Sequence, residues 1–151
     1  LLEQPSPEAS YLLARASPQL AKQKAAVDRA VACDGFAAAA HLAARAALEA
    51  GDGSAALAFF ERARAHAPKW LENRVMLGGL YLQLGKKAEA AREIDGAIAA
   101  NPDYAPAWVV RSSLEAADEK LDDAKRSLCR AAKLGSDQAR RMLGADAVCP
   151  P

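Results

Sequence analysis

Aromatic residues make up only 5% of this 151-residue chain, β-branched runs are nearly missing, and no long apolar stretch interrupts it. Each shortage excludes something. Without β-branched and aromatic runs a sheet is not expected. Without an apolar run near the roughly 18 residues that a membrane helix requires, no membrane insertion is expected, and no secretory signal is visible. Leu1 stands where a methionine would start a chain, in keeping with a mature or trimmed form from which any targeting peptide has gone. Charge of either sign is also not in excess: 20 basic against 19 acidic residues leave a net charge of +1. A nucleic-acid surface needs a basic excess or stripe. The longest basic runs here are the pairs Lys86-Lys87, Lys125-Arg126 and Arg140-Arg141, read as solvated helix surface, so no nucleic acid is expected as a partner.

Cysteine is scarce as well. Cys33, Cys129 and Cys149 are an odd set at spacings that fit no metal motif, so neither a disulfide framework nor a metal centre is indicated. Cys33 and Cys129 read as small packing residues and Cys149 as an exposed tail residue. One bridge stays open if the compartment is oxidising.

What is present is alanine and leucine. Hydrophobic residues reach 52% with few aromatics, a mixture that suits close-packed helices because both residues are strong helix formers and alanine lets backbones approach. The length suits one domain with its own core. Pro68 and Pro102 lie 34 residues apart, and the same interval relates Gly51 to Gly85, Ala56 to Ala90, Phe60 to Ile94 and Ala63 to Ala97. It continues to Ala124, Leu128 and Ala131. Apolar residues recur at three and four residue spacings on both sides of each Gly or polar break, so each period is a helix hairpin. Gly51 and Gly85 end the first helix, where left-handed backbone favours glycine. The small residue that follows (Ala56, Ala90, Ala124) sits where the helices cross, and proline stops the unit.

This pattern resembles the tetratricopeptide repeat. The best unit carries Leu77, Gly78, Tyr81, Ala90, Ile94, Ala97 and Pro102 at that family's characteristic places, with Arg74 departing at the usual tryptophan place. The unit from 105 keeps Trp108, Ala124, Leu128 and Ala131 but has Arg111, Ser112 and Glu115 in its first helix; the unit from 37 is largely alanine there. The resemblance implies an all-α, right-handed solenoid of helix hairpins: a divergent hairpin over 1–36, repeats over 37–70, 71–104 and 105–135, a closing helix over 136–144 capped by Ser136, and a frayed tail over 145–151. In the first segment, Ser6-Pro7 and Ser17-Pro18 mark two helix starts.

Other patterns carry less. Gly51 to Ala56, "GDGSAA", fits a dinucleotide fingerprint as text, but that fingerprint needs a preceding strand, so no cofactor is expected. His66 falls in the last turn of its helix, where a cation is favourable. Glu115, Asp118, Glu119, Asp122 and Asp123 gather at one turn and read as a solvated edge. No catalytic set is found, and the chain is expected not to be an enzyme.

In the family, first helices line a concave face. The resemblance places His41, Leu42, Arg45, Glu72, Val75, Met76, Gly79, Val109, Val110 and Ser113 on it. Some relatives hold a peptide carboxylate there with a basic and asparagine clamp; Val75, Met76, Val109 and Val110 stand at or near those positions, so no clamp is expected. Leu42, Met76 and Val110 then form an apolar strip suited to a helical or extended segment with aliphatic anchors. The function implied is non-enzymatic protein binding, as adaptor, assembly factor or chaperone-like holder. The alternative is a structural or self-association module of a larger assembly or enzyme, its groove self-occluded. Alanine-rich coding points to a GC-rich bacterium; cytoplasm and periplasm are not separated.

Overall fold

The computed structural model describes residues 37–144 and 148–149. The expected N-terminal hairpin, Cys33 and most of the tail lie outside the described residues. Seven helices and no strand occur among those described: α1 (Ala37–Glu49), α2 (Gly53–His66), α3 (Leu71–Gln83), α4 (Lys87–Ala100), α5 (Ala105–Ala117), α6 (Leu121–Lys133) and α7 (Asp137–Leu143). The chain divides into two compact units, one ending at Asn73 and one beginning at Arg74.

The turns inside the hairpins share one backbone solution. Gly51 N–H donates to the Leu48 carbonyl at 3.0 Å and Asp52 N–H to Ala47 at 2.9 Å. The same two bonds recur at Gly85 and Lys86, at Glu119 and Lys120, and at Gly135 and Ser136. This Schellman arrangement satisfies the carbonyls a helix end leaves unpaired. It requires a positive φ, which is 78° at Gly51 and 73° at Gly85, as expected from the sequence, and 61° at Glu119.

The next helix then starts at once. Asp52 caps α2 by accepting from Ala55 N–H at 2.9 Å, and Ser136 caps α7 by accepting from Ala139 N–H at 3.1 Å. Lys86 and Lys120 hold the same place before α4 and α6 without a side-chain cap.

In the first unit α1 packs on α2, and Ala56, Phe60 and Ala63 have no exposed surface. In the second unit Ala90, Ile94 and Ala97 are equally buried. A methyl on Gly78 would lie 2.8 Å from Ile94 Cδ1, so the glycine is what lets α3 and α4 approach. α4 packs on α5, α5 on α6 and α6 on α7. Val109, Ala131 and Ala139 make the last cluster, with Trp108 and Leu128 against it.

The cysteines follow the alternative left open, a single bridge, rather than the reading of Cys149 as an exposed tail residue. Cys129 and Cys149 are joined in a disulfide with Cα atoms 5.5 Å apart, and Cys149 is half-buried rather than exposed. A bridge across 20 residues leaves no motif spacing to read, because its geometry depends on where the chain turns back.

Candidate protein-binding face

The burial of the ten expected contact residues follows the repeat. At one position of the first helix His41, Val75 and Val109 are buried, 5%, 7% and 5% exposed. One residue later Leu42, Met76 and Val110 are all half-buried. Three residues beyond those, Arg45 is exposed while Gly79 and Ser113 are half-buried; Glu72, at the start of α3, is exposed. The helical period thus turns the first set into the core and leaves the second set with an open edge. Val109 joins Ala131 and Ala139 in one buried cluster.

In the first unit His41 belongs to a buried polar set that sequence reasoning did not anticipate. Asn73, fully buried, donates from Nδ2 to the Phe60 carbonyl at 3.0 Å. A carbonyl only accepts, so that bond orients the amide and turns Oδ1 toward His41. His41 Nδ1 lies 2.8 Å from that oxygen and therefore carries the hydrogen. The ring is held at 4.4 Å from Trp70 and 5.3 Å from Phe60, centroid to centroid. Nε2 is 3.5 Å from Glu72 Oε1, within ion-pair reach but without hydrogen-bond geometry. Asn73 is therefore matched at both ends of its amide from within the unit, while His41 is matched at Nδ1 and its Nε2 has no hydrogen-bond partner.

In the second unit Arg74 takes the family's tryptophan place and lies over α4. A methyl on Gly96 would land on its guanidinium, and Nη1 is 3.9 Å from Oε2 of Glu93, whose side chain is only 4% exposed. Gly96 in mid-helix was the available signal, since such a glycine marks a close approach. Arg111 ties α4 to α5, paired with Asp95 and, at 2.9 Å, with Glu115; Ser127 on α6 donates to the other Glu115 oxygen at 2.6 Å. The Glu115 bond, more than the two neighbouring charges, raises the already high Arg111 pKa. Glu115 thus leaves the acidic edge expected of it and becomes an internal tie.

At that edge Lys87 donates to the Ala117 carbonyl and to Asp118 Oδ1, the latter at 2.8 Å. The Lys87 hydrogen bond holds the Asp118 carboxyl below the usual carboxylate range. No group of three metal-ligating side chains occurs among the described residues, and no described helix is long and apolar enough to cross a membrane.

The geometry described has solved counterparts. The fold is similar to the crystal structure of MamA, with 18% identity and a TM-score of 0.74 over 88% of this chain and 80% of that one. It is similar to YrrB, described as having an unusual peptide-binding site, with 18% identity and a TM-score of 0.72 over 87% and 70%. It is also similar to the first repeat domain of RPAP3 bound to an HSP90 peptide, with 21% identity and a TM-score of 0.66 over 73% and 91%. No curated protein matches the chain. Residues 47–117 match the tetratricopeptide repeat family, and the described residues share the all-α helix-hairpin fold of these solved structures.

Proposed function

We propose that the chain is a non-enzymatic protein-binding module, an adaptor, assembly factor or chaperone-like holder, that takes an apolar helical or extended segment on its first-helix faces. In the second unit the contact set is Met76, Gly79, Val110 and Ser113, with Val75 and Val109 supporting it from beneath. In the first unit Leu42 and Arg45 occupy the same repeat positions, with Glu72 at the rim and His41 as the buried support. The carrying observation is that an apolar side chain keeps an open edge at one position of each described first helix, while its neighbour is buried. Two of the similar structures support the reading, since their descriptions name a peptide ligand or a peptide-binding site. Methionine suits such a face because its flexible thioether adapts to different anchors.

Affinity capture from the source organism followed by calorimetry tests this. Met76→Glu should weaken binding at least tenfold, about 1.4 kcal/mol, at nearly constant melting temperature. The new charge must either be buried beneath the partner or hold the partner away from the face, and both are costly. Lys86→Glu, at an exposed turn, should change binding little. If Met76→Glu unfolds the chain instead, Met76 is core and the binding face is not there. Concentration-dependent dimerisation that protects Met76 and Val110 would assign the same face to self-association.

A further inference from the structure

We propose that Cys129 and Cys149 form a redox-operated latch that holds the closing helix α7 on the last hairpin. α7 is seven residues long, too short to persist by its own hydrogen bonds. It is held by the Ser136 cap, by Ala139, which is fully buried against Val109 and Ala131, and by the half-buried Leu143 at its end. Arg140, Arg141 and Met142 all face solvent. The disulfide spans residues 129 to 149 and so encloses all of α7. Its 5.5 Å Cα separation lies in the usual range for a bridge. Cross-linking the flanks of a short element removes the open conformations it would otherwise visit. With the bridge intact α7 covers the Val109–Ala131 edge. With the bridge cut that edge, and Trp108 and Leu128 packed on it, is free to open.

The asymmetry of the pair sets the order of the chemistry. Cys129 is 3% exposed and Cys149 is half-buried, so a small thiol reductant such as glutathione attacks at Cys149. Its thiolate bonds to the Cys149 sulfur, the protein S–S bond breaks, and Cys129 leaves as a thiolate that takes a proton. A second glutathione thiolate resolves the mixed disulfide, and the Cys149 thiolate takes its proton. The protein disulfide is reduced to two thiols and two glutathiones are oxidised to one disulfide. Closing reverses these steps with glutathione disulfide as oxidant.

Hydrogen exchange on the full chain, oxidised with glutathione disulfide and then reduced with a phosphine, decides it. Peptides covering Asp137–Leu143 should exchange at least about tenfold faster after reduction, while those covering Gly53–His66 stay unchanged. Cys149→Ser in non-reducing buffer should match the reduced chain, and Cys33→Ser should match the oxidised one. Non-reducing peptide mapping should join Cys129 to Cys149. Mapping that places Cys33 in the bridge, or equal protection of α7 in both states, overturns the proposal. Loss of protection in Gly53–His66 as well would make the bridge a staple of the whole fold, and would overturn it too.

Discussion

Glu119 occupies a backbone place that its repeat counterparts, Gly51 and Gly85, fill with glycine. An L-residue with a side chain held left-handed costs about 1–2 kcal/mol, so Glu119→Gly should raise stability by about 1 kcal/mol after glycine's extra unfolded-state entropy is deducted. Urea unfolding reads this directly, and a loss of stability would mean that the Glu119 side chain contributes more than its strain. Lys86 likewise stands where Asp52 caps a helix, so Lys86→Asp should stabilise by about 0.5–1 kcal/mol, less whatever the lysine gains over the Tyr81 ring 5.8 Å away. Asp118 gives a pH signature. Its folded carboxyl titrates below the unfolded one, so its contribution is present above the unfolded carboxylate pKa and is lost as pH falls through the lower folded value. An NMR titration should find the Asp118 midpoint depressed, and Lys87→Met should return it to the ordinary range. Gly51 and Gly85 were legible because glycine announces the turn; Glu119 was not, because only the repeat interval marks its place.

At the scale of helices, hairpin packing was the most legible feature. Ala56, Ala90 and Ala124 were placed at the helix crossings from spacing alone, and they are 0%, 0% and 7% exposed. Ala90→Leu should therefore destabilise by about 1–3 kcal/mol through overpacking, and an unchanged unfolding midpoint would contradict the tight crossing. The ion pair joining α3 to α4 was not legible, since spacing does not say which charge turns inward. Arg74→Met should destabilise by about 3 kcal/mol because it leaves the Glu93 carboxylate buried without its guanidinium. Adding Glu93→Gln should recover part of that loss. A single mutant as stable as the parent would show that Glu93 draws its compensation elsewhere.

For the chain as a whole, composition alone pointed to helix, and the absence of β-branched runs to no sheet. Far-UV circular dichroism should accordingly be dominated by helical minima; a substantial strand signal would contradict the repeat assignment. The proposed binding face is legible only in part. Periodicity separates the residue that is buried from the neighbour that keeps an open edge, but it says nothing about what chemistry a partner would present. The disulfide was unreadable for a related reason: Cys149 reaches Cys129 through the path of the chain around α7, which no spacing rule encodes.

The place of Arg74 over Gly96 also bears on how a chain of near-copies avoids mispairing while it folds. Among the described helices a nascent α3 meets three candidate second helices of similar length and pattern, and alanine crossings alone would let it settle on any of them. Shifting the pairing by one repeat replaces Gly96 with Arg62 or Arg130. Arg74 would then meet a long side chain of its own charge where it now finds open backbone and the Glu93 carboxylate. The counterparts of Glu93 in those two helices are Phe59 and Ser127, neither of which carries a compensating charge. A slipped hairpin would thus be both crowded and electrostatically repelled at its centre, so the departure from the family's tryptophan identifies one helix as the proper mate of another.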